Sequence, residues 1–262
     1  CWCFVQNLAM GMNVKTKTFR GWKISYVNEF ELTEMFNELY SKKYYRFQTK
    51  KKNPVIYDVG ALIGETVLYF KDLCPGAKIM AFEPSPRSFK LLKRNVSQNK
   101  LTNVRLVNAA VGQSRDRLDF YVDKSTDNPW GRGDSLHENR FNSKLKSKVV
   151  KVKTVKLSDY IKSSIDLLKL DIEGAETEVI REIEPKLGFV ENIILEFHAS
   201  IHNPENRLSV ILDILHRNNF NIKIFISRWL IPSFGVNIAL VILPLLKIDE
   251  FWLRIYAKRS NQ

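Results

Sequence analysis

The chain has 262 residues, 45% of them hydrophobic and 26% charged, an apolar content that excludes an intrinsically disordered protein. Lys and Arg number 41 against 28 Asp and Glu, and the formal net charge of +13 biases the surface toward anionic partners. Three cysteines and no CxxC pair exclude a disulfide scaffold and a structural zinc site, and with no charged-then-apolar signal at the start they lead to the expectation of a cytoplasmic protein.

Residues 1–53 read as a basic extension that ends in Lys50, Lys51 and Lys52. Within it 29–47 is expected as a helix, with Phe30, Met35, Phe36 and Leu39 as its apolar residues. A domain over 54–262 follows. VIYDV (55–59) is its first strand, and after a glycine turn a helix starts at Glu65. KIMAF (78–82) is the second strand. Ser85-Pro86 opens the next helix, with Ser as N-cap, Pro at the first helical position, and Phe89, Leu92 and Val96 on its apolar face. The sequon Asn95-Val96-Ser97 falls inside that helix and reads as chance.

VRLVN (104–108) is the third strand. LDFYV (118–122) and VVKVKTV (149–155) alternate charge with apolar residues and read as extra or edge strands, joined by a long polar loop. IDLLKL (165–170), NIILEF (192–197) and FNIKIFI (220–226) continue the parallel series, and FWLRIYA (251–257) closes the sheet. Before that last strand lies an apolar insertion, 229–248, without a charge from 229 to 246. Pro232, Gly235 and Pro244 argue against a continuous membrane span. A peripheral membrane contact is the alternative to burial there, aided by Arg228, Lys247 and Arg254.

Strands alternating with helices imply an α/β fold, a mostly parallel sheet covered by helices on both faces. Such sheets bind ligands beyond the carboxyl ends of their strands. Five polar clusters fall there: Asp58 to Gly64, Glu83, Asn108, Asp171 to Glu176, and Glu196 to His198. Gly60 and Gly64 let the backbone turn tightly and approach a ligand. Glu83, ending the second strand, is placed to accept bonds from both ribose hydroxyls of an adenosyl cofactor. The glycine spacing lacks the dinucleotide and P-loop fingerprints, and Asp58 adds negative charge where a pyrophosphate would sit. A cofactor with an amino group and a sulfonium, S-adenosyl-L-methionine, suits that carboxylate.

Three segments, IYDVGALIGETVLYF, AFEPSPRSFKLLKRNV and IDLLKLDIEGAE, together with NAAVG (108–112), resemble the FkbM-type family of S-adenosylmethionine-dependent methyltransferases in order and spacing. The resemblance covers about residues 54–228 plus the last strand. It implies a Rossmann-like methyltransferase fold with a seven-stranded, mostly parallel sheet and an antiparallel last strand. It implies that Asp58, Gly60 and Gly64 contact the methionine part of the cofactor, that Glu83 holds the ribose, and that Asn108 and Ala109 lie near the adenine. It places Asp171 and Glu173 beside the transferred methyl. One departure is visible: Leu62 stands where this family commonly has Asn.

Methyl transfer to oxygen needs alignment and a proton acceptor. Asp171, Glu196 and His198 end adjacent predicted strands, with His198 the natural base near neutral pH. Asp171 could orient the substrate, act as base or, with Glu196, hold a divalent cation; no metal is expected. The resemblance implies acceptor hydroxyls on sugars, glycolipids or secondary metabolites. The loop carrying Trp130 and Arg132 is the expected substrate cover, an aromatic and an arginine suiting a sugar ring or an anion. Two other readings compete. A nucleic-acid methyltransferase would suit the +13 charge, but the base-amino tetrad after strand four is missing. A non-catalytic, membrane-associated protein that keeps the fold is motivated by Leu62.

Overall fold

The computed structural model of the chain describes residues 13–123, 147–200, 203–226, 229–231 and 250–260. The chain starts with a hairpin, β1 (Lys15–Phe19) and β2 (Trp22–Tyr26), then helix α1 (Glu29–Phe36) and one π-helical turn, Asn37–Ser41. The helix expected over 29–47 is therefore shorter, and Phe30, expected on its apolar face, is 71% exposed. Leu32, Met35, Phe36 and Leu39 are the buried residues. Asn28 caps α1 through its side chain, which accepts from Phe30 N–H and Glu31 N–H.

Next come β3 (Val55–Val59), α2 (Glu65–Leu73), β4 (Lys78–Phe82), α3 (Pro86–Gln98) and β5 (Val104–Val107). β6 (Ala110–Val111), β7 (Arg117–Asp123) and β8 (Ser147–Val155) follow, then β9 (Leu167–Leu170), α4 (Glu176–Ile183), β10 (Asn192–Ser200), α5 (Leu208–Arg217), β11 (Phe220–Ile226), β12 (Trp229–Ile231) and β13 (Glu250–Arg259). Ser85 stands at the N-cap of α3, but its side chain makes no capping bond; Pro86 at the first helical position sets the entry.

The main sheet has the order β12-β11-β13-β10-β9-β3-β4-β5. β5, β4, β3, β9 and β10 are mutually parallel. β13, the last strand, is inserted antiparallel between β10 and β11, which gives the seven-stranded methyltransferase arrangement. The three-residue β12 extends this sheet to eight strands by pairing antiparallel with β11. β7 and β8 form a separate three-stranded sheet with β6, in the extra-strand role their charge alternation predicts.

Side-chain alternation explains why both faces are covered. In β3, Val59 and Tyr57 enter one core while Ile56 enters the other. Val179, Ile180 and Ile183 of α4 and Leu208, Ile211 and Ile214 of α5 fill the first. Leu32 and Met35 of α1, Val67 and Phe70 of α2, and Leu91 and Leu92 of α3 fill the second. Each such side chain contributes about 1.5–3 kcal/mol by leaving water. The N-terminal residues Ile24, Tyr44 and Tyr45 belong to that second core.

The hairpin is fastened by amides. Asn95 is fully buried; its Oδ1 accepts Ser25 N–H at 2.7 Å, and its Nδ2 donates to Ser25 O at 3.0 Å and Ile63 O at 2.8 Å. One turn on, Asn99 Oδ1 accepts Lys23 N–H, and Gln98 and Asn99 donate to Lys23 O. Three amide side chains thus replace a neighbouring strand along the edge of β2. The sequon at Asn95 is accordingly closed to modification in the folded chain. Asn95→Ala leaves the backbone groups of Ser25 buried without partners and is expected to lower the unfolding free energy by about 3 kcal/mol, read from urea denaturation.

Candidate active site

The loop between β3 and α2 carries three residues of positive φ: Gly60 at +85°, Leu62 at +47° and Gly64 at +90°. Its first turn is fixed by the neighbouring strand, because Gly60 and Ala61 N–H both donate to Phe82 O. A Cβ on Gly60 would lie 1.8 Å from Asp171 O, so the end of β9 runs directly against this glycine. A Cβ on Gly64 would meet Leu92 of α3 at 2.7 Å.

Glu83, at the end of β4, is buried and holds the loop through its carboxylate. Leu62 N–H donates to Oε2 and Ser85 N–H to Oε1, both at 2.8 Å. Asn108, after β5, donates from Nδ2 to Glu83 O at 2.8 Å, and Ala109 is buried beside it. The cofactor residues expected from sequence are thus neighbours: the glycine loop, Glu83 and Asn108 form one continuous hydrogen-bonded rim.

Asp58, expected at the methionine part of the cofactor, stands near the end of β3 next to the glycine loop. It is completely buried beneath the loop, where Thr66 Oγ1 donates to Oδ2 and the Lys169 ammonium stands 3.3 Å from Oδ1. Lys169, on β9, is itself 2% exposed. Its Nζ also donates to Gly60 O and lies 3.7 Å from Asp171 Oδ2. Burial opposes this charge, yet Asp58, Asp171 and Glu65 outweigh it and hold the lysine above its ordinary pKa. The ammonium therefore stays charged and ties the carboxylates of Asp58 and Asp171 to the backbone carbonyl of Gly60.

At the carboxyl ends of β9 and β10 the expected acids and histidine converge. Asp171 Oδ2 accepts the Tyr45 hydroxyl at 3.1 Å. Burial pushes that phenol well above its ordinary pKa, so it stays a donor. His198 Nε2 faces Glu196 at 3.5 Å, Glu173 at 3.6 Å and Asp171 at 3.9 Å. Glu196 is bound at 3.0 Å by Arg254 Nε, whose guanidinium is buried against the Tyr44 ring at 3.3 Å. Burial opposes the Arg254 charge, but Glu196 and the phenols of Tyr45 and Tyr256 hold its pKa above the ordinary arginine value.

Arg254, one of three residues that would aid the alternative of a peripheral membrane contact, is buried in this pair and not presented to a membrane surface. Trp130, Arg132 and most of 229–248 lie outside the described residues. Among the described residues no helix is long and apolar enough to cross a membrane.

Asp171, Glu196 and His198 present ligand atoms within 4.8 Å of one another, close enough to enclose a cation. Each carboxylate already has a cationic or donor partner, Arg254 for Glu196 and Lys169 with Tyr45 for Asp171. That pairing suits a cluster that handles protons. A separate cavity of about 580 Å³, lined by Arg46, Phe47, Lys223, Tyr256, Lys258 and Arg259, opens at the amino ends of β10 and β11. It lies at the other end of the strands from His198 and holds none of the expected site residues.

Sequence reasoning missed Lys169, Tyr45 and Arg254. Lys169 had a signal: a lone charge inside the apolar run LLKL, where a strand buried on both faces admits a lysine only with partners. Tyr45 and Arg254 had none, since their partners lie 126 and 58 residues away in the chain.

A family model described as the methyltransferase FkbM domain matches residues 58–222. The methyltransferase sdnD of Sordaria araneosa is 30% identical over 206 residues, covering 66% of this chain and 78% of the relative. The 2-O-methyltransferase NoeI of Sinorhizobium fredii is 28% identical over 178 residues, covering 63% and 72%. Among solved structures, residues 961–1257 of the StiE O-methyltransferase match with a TM-score of 0.50 and 9% identity, covering 88% of this chain and 76% of that one, a likeness of fold.

The departure at Leu62 now has a physical meaning. The position requires a left-handed backbone, which Asn adopts readily and which costs other residues roughly 1–2 kcal/mol. Its cofactor-side duty, the N–H donated to Glu83, comes from the backbone and survives the change. Leu62→Asn is expected to raise the unfolding free energy by about 1 kcal/mol in chemical denaturation, with no loss of cofactor affinity.

Proposed function

The chain belongs to the FkbM methyltransferase family, and from that premise we propose that it methylates a hydroxyl oxygen of a small-molecule acceptor, a sugar, glycolipid or secondary metabolite, with His198 receiving the hydroxyl proton. The single observation that carries this reading is the position of His198 Nε2 among Asp171, Glu173 and Glu196 at the carboxyl ends of β9 and β10, next to the glycine loop. The 2-O-methyltransferase relative supports oxygen as the receiving atom.

The enzyme's cofactor is S-adenosylmethionine, which supplies an activated methyl group on a sulfonium when bound. The residues present fit it. Glu83 and Asn108 would hold ribose and adenine, a reading supported by their position on one hydrogen-bonded rim with the glycine loop. Asp58 supports that loop from below through Lys169 and Thr66. Asp171 and Glu173 provide negative charge for a cationic ligand.

His198 takes the acceptor proton, and the surrounding carboxylates stabilise the imidazolium that forms. Asp171, pinned by Tyr45, orients the acceptor hydroxyl. Trp130 and Arg132 remain the proposed substrate cover. The same carboxylates disfavour a phosphate backbone, which argues against a nucleic-acid acceptor despite the net charge. We treat 54–262 as the catalytic unit, with 1–53 as an extension whose Tyr44 and Tyr45 complete its floor. A cytoplasmic location with peripheral membrane contact through 229–246 belongs to this reading as well, resting on the apolar composition of that segment.

The test is release of S-adenosylhomocysteine from S-adenosylmethionine over a panel of polyhydroxylated acceptors. His198→Ala is expected to lower turnover about 100-fold or more with cofactor affinity kept, and Glu83→Ala to abolish cofactor binding in calorimetry. Turnover is expected to survive EDTA; loss restored by magnesium would transfer the acid–base role to a bound cation. Full turnover in His198→Ala would remove the histidine from the mechanism.

A further inference from the structure

We propose that Glu176 is a positioning residue that fixes His198 in the tautomer with the proton on Nδ1, so that Nε2 presents a lone pair to the cleft. This rests on the reading of His198 as the proton acceptor and gives that reading a structural cause.

Glu176, at the start of α4, is completely buried, and its Oε1 lies 2.9 Å from His198 Nδ1. The same Oε1 accepts Gly174 N–H at 3.0 Å, and Oε2 accepts Asn206 Nδ2 at 2.6 Å. The orientation of Asn206 is itself fixed. Its Oδ1 accepts Thr177 N–H at 3.0 Å and Thr177 Oγ1 at 2.8 Å, and its Nδ2 also donates to His198 O at 2.9 Å. Both oxygens of Glu176 therefore face N–H donors that the fold cannot turn around.

Such a pocket accepts an ionised carboxylate. A carboxylate accepts only, so Nδ1 must donate, and in the neutral ring the lone pair falls on Nε2. The groups around the ring come from every element packed against it. Asp171 and Glu173 lie on the β9–α4 loop, Glu196 on His198's own strand, and Arg254 on β13 behind Glu196. Lys169 lies behind Asp171. When the acceptor O–H bond breaks and the Nε2–H bond forms, the positive charge on the ring is shared with the buried carboxylate on its far side. The helix that follows the DIEG turn thus does more than pack: its first residue selects which nitrogen is basic.

The direct measurement is the imidazole tautomer from long-range 1H–15N correlation spectra of protein labelled at its 4 histidines. The His198 signals are assigned by their absence in His198→Ala. The neutral ring is expected as the Nδ1–H form in the wild type, and the Nε2–H form there would overturn the proposal. In Glu176→Gln an amide N–H must oppose either Asn206 Nδ2 or Gly174 N–H. The variant is expected to move His198 toward the Nε2–H form and to lower turnover about 100-fold or more, with S-adenosylmethionine affinity within about twofold in calorimetry. Wild-type turnover in that variant, with the tautomer moved, would also overturn it. If Glu176→Gln does not fold, the wild-type spectrum decides alone. Failure of the wild type to bind S-adenosylmethionine would instead strike the methyltransferase reading and leave the tautomer result standing.

Discussion

The site depends on one buried ammonium. Lys169 sits in the centre of the sheet with Asp58 on the adjacent strand, Gly60 O in the loop above and Asp171 at the end of its own strand. An ion pair taken out of water is costly to form, and removing one partner alone is costlier still. The carboxyl ends of β3 and β9 are therefore locked at the point where the glycine loop passes. At that same point the backbone of Gly60 runs against Asp171 O, where a Cβ would have no room. Arg254 repeats the device on the other side of His198, where it holds Glu196. Two buried cations thus bracket a row of carboxylates and set their spacing.

The N-terminal residues take part in this arrangement. Tyr44 supplies the ring beneath Arg254, and the next residue, Tyr45, supplies the hydroxyl on Asp171. Tyr44 is held on both sides of its peptide, its N–H donating to Glu38 O at 3.0 Å and its carbonyl accepting the Tyr256 hydroxyl at 2.7 Å.

Much of the fold was legible because its signals are local. The strands at 55–59, 78–82 and 220–226 coincide with β3, β4 and β11, since apolar runs bounded by turn residues admit few other structures. The antiparallel last strand follows from the resemblance and is borne out. The hairpin at 15–26 was not read, because its strands KTKTF and WKISY are short, polar on one face and stabilised by amides some 70 residues away. The helix after Glu29 was read too long because apolar residues continue past Ser41, where they pack as irregular chain. At the site, sequence found the groups that end strands: Glu83, Asn108, Asp171, Glu196 and His198. It could not assign Glu176 a role or name Lys169, because what those residues do is decided by partners brought together only by the sheet. Leu62 looked like a defect in a motif; the backbone shows that the position asks for a conformation more than a side chain.

The most direct test of this account is the coupling energy between Lys169 and Asp58, from urea denaturation of Lys169→Met, Asp58→Asn and the double variant. The account predicts that Lys169→Met alone costs about 3–5 kcal/mol and that adding Asp58→Asn recovers a large part of it, because the stranded buried charge is then gone. Losses that simply add, or a single variant within about 0.5 kcal/mol of the wild type, would contradict the claim that this pair holds the site together.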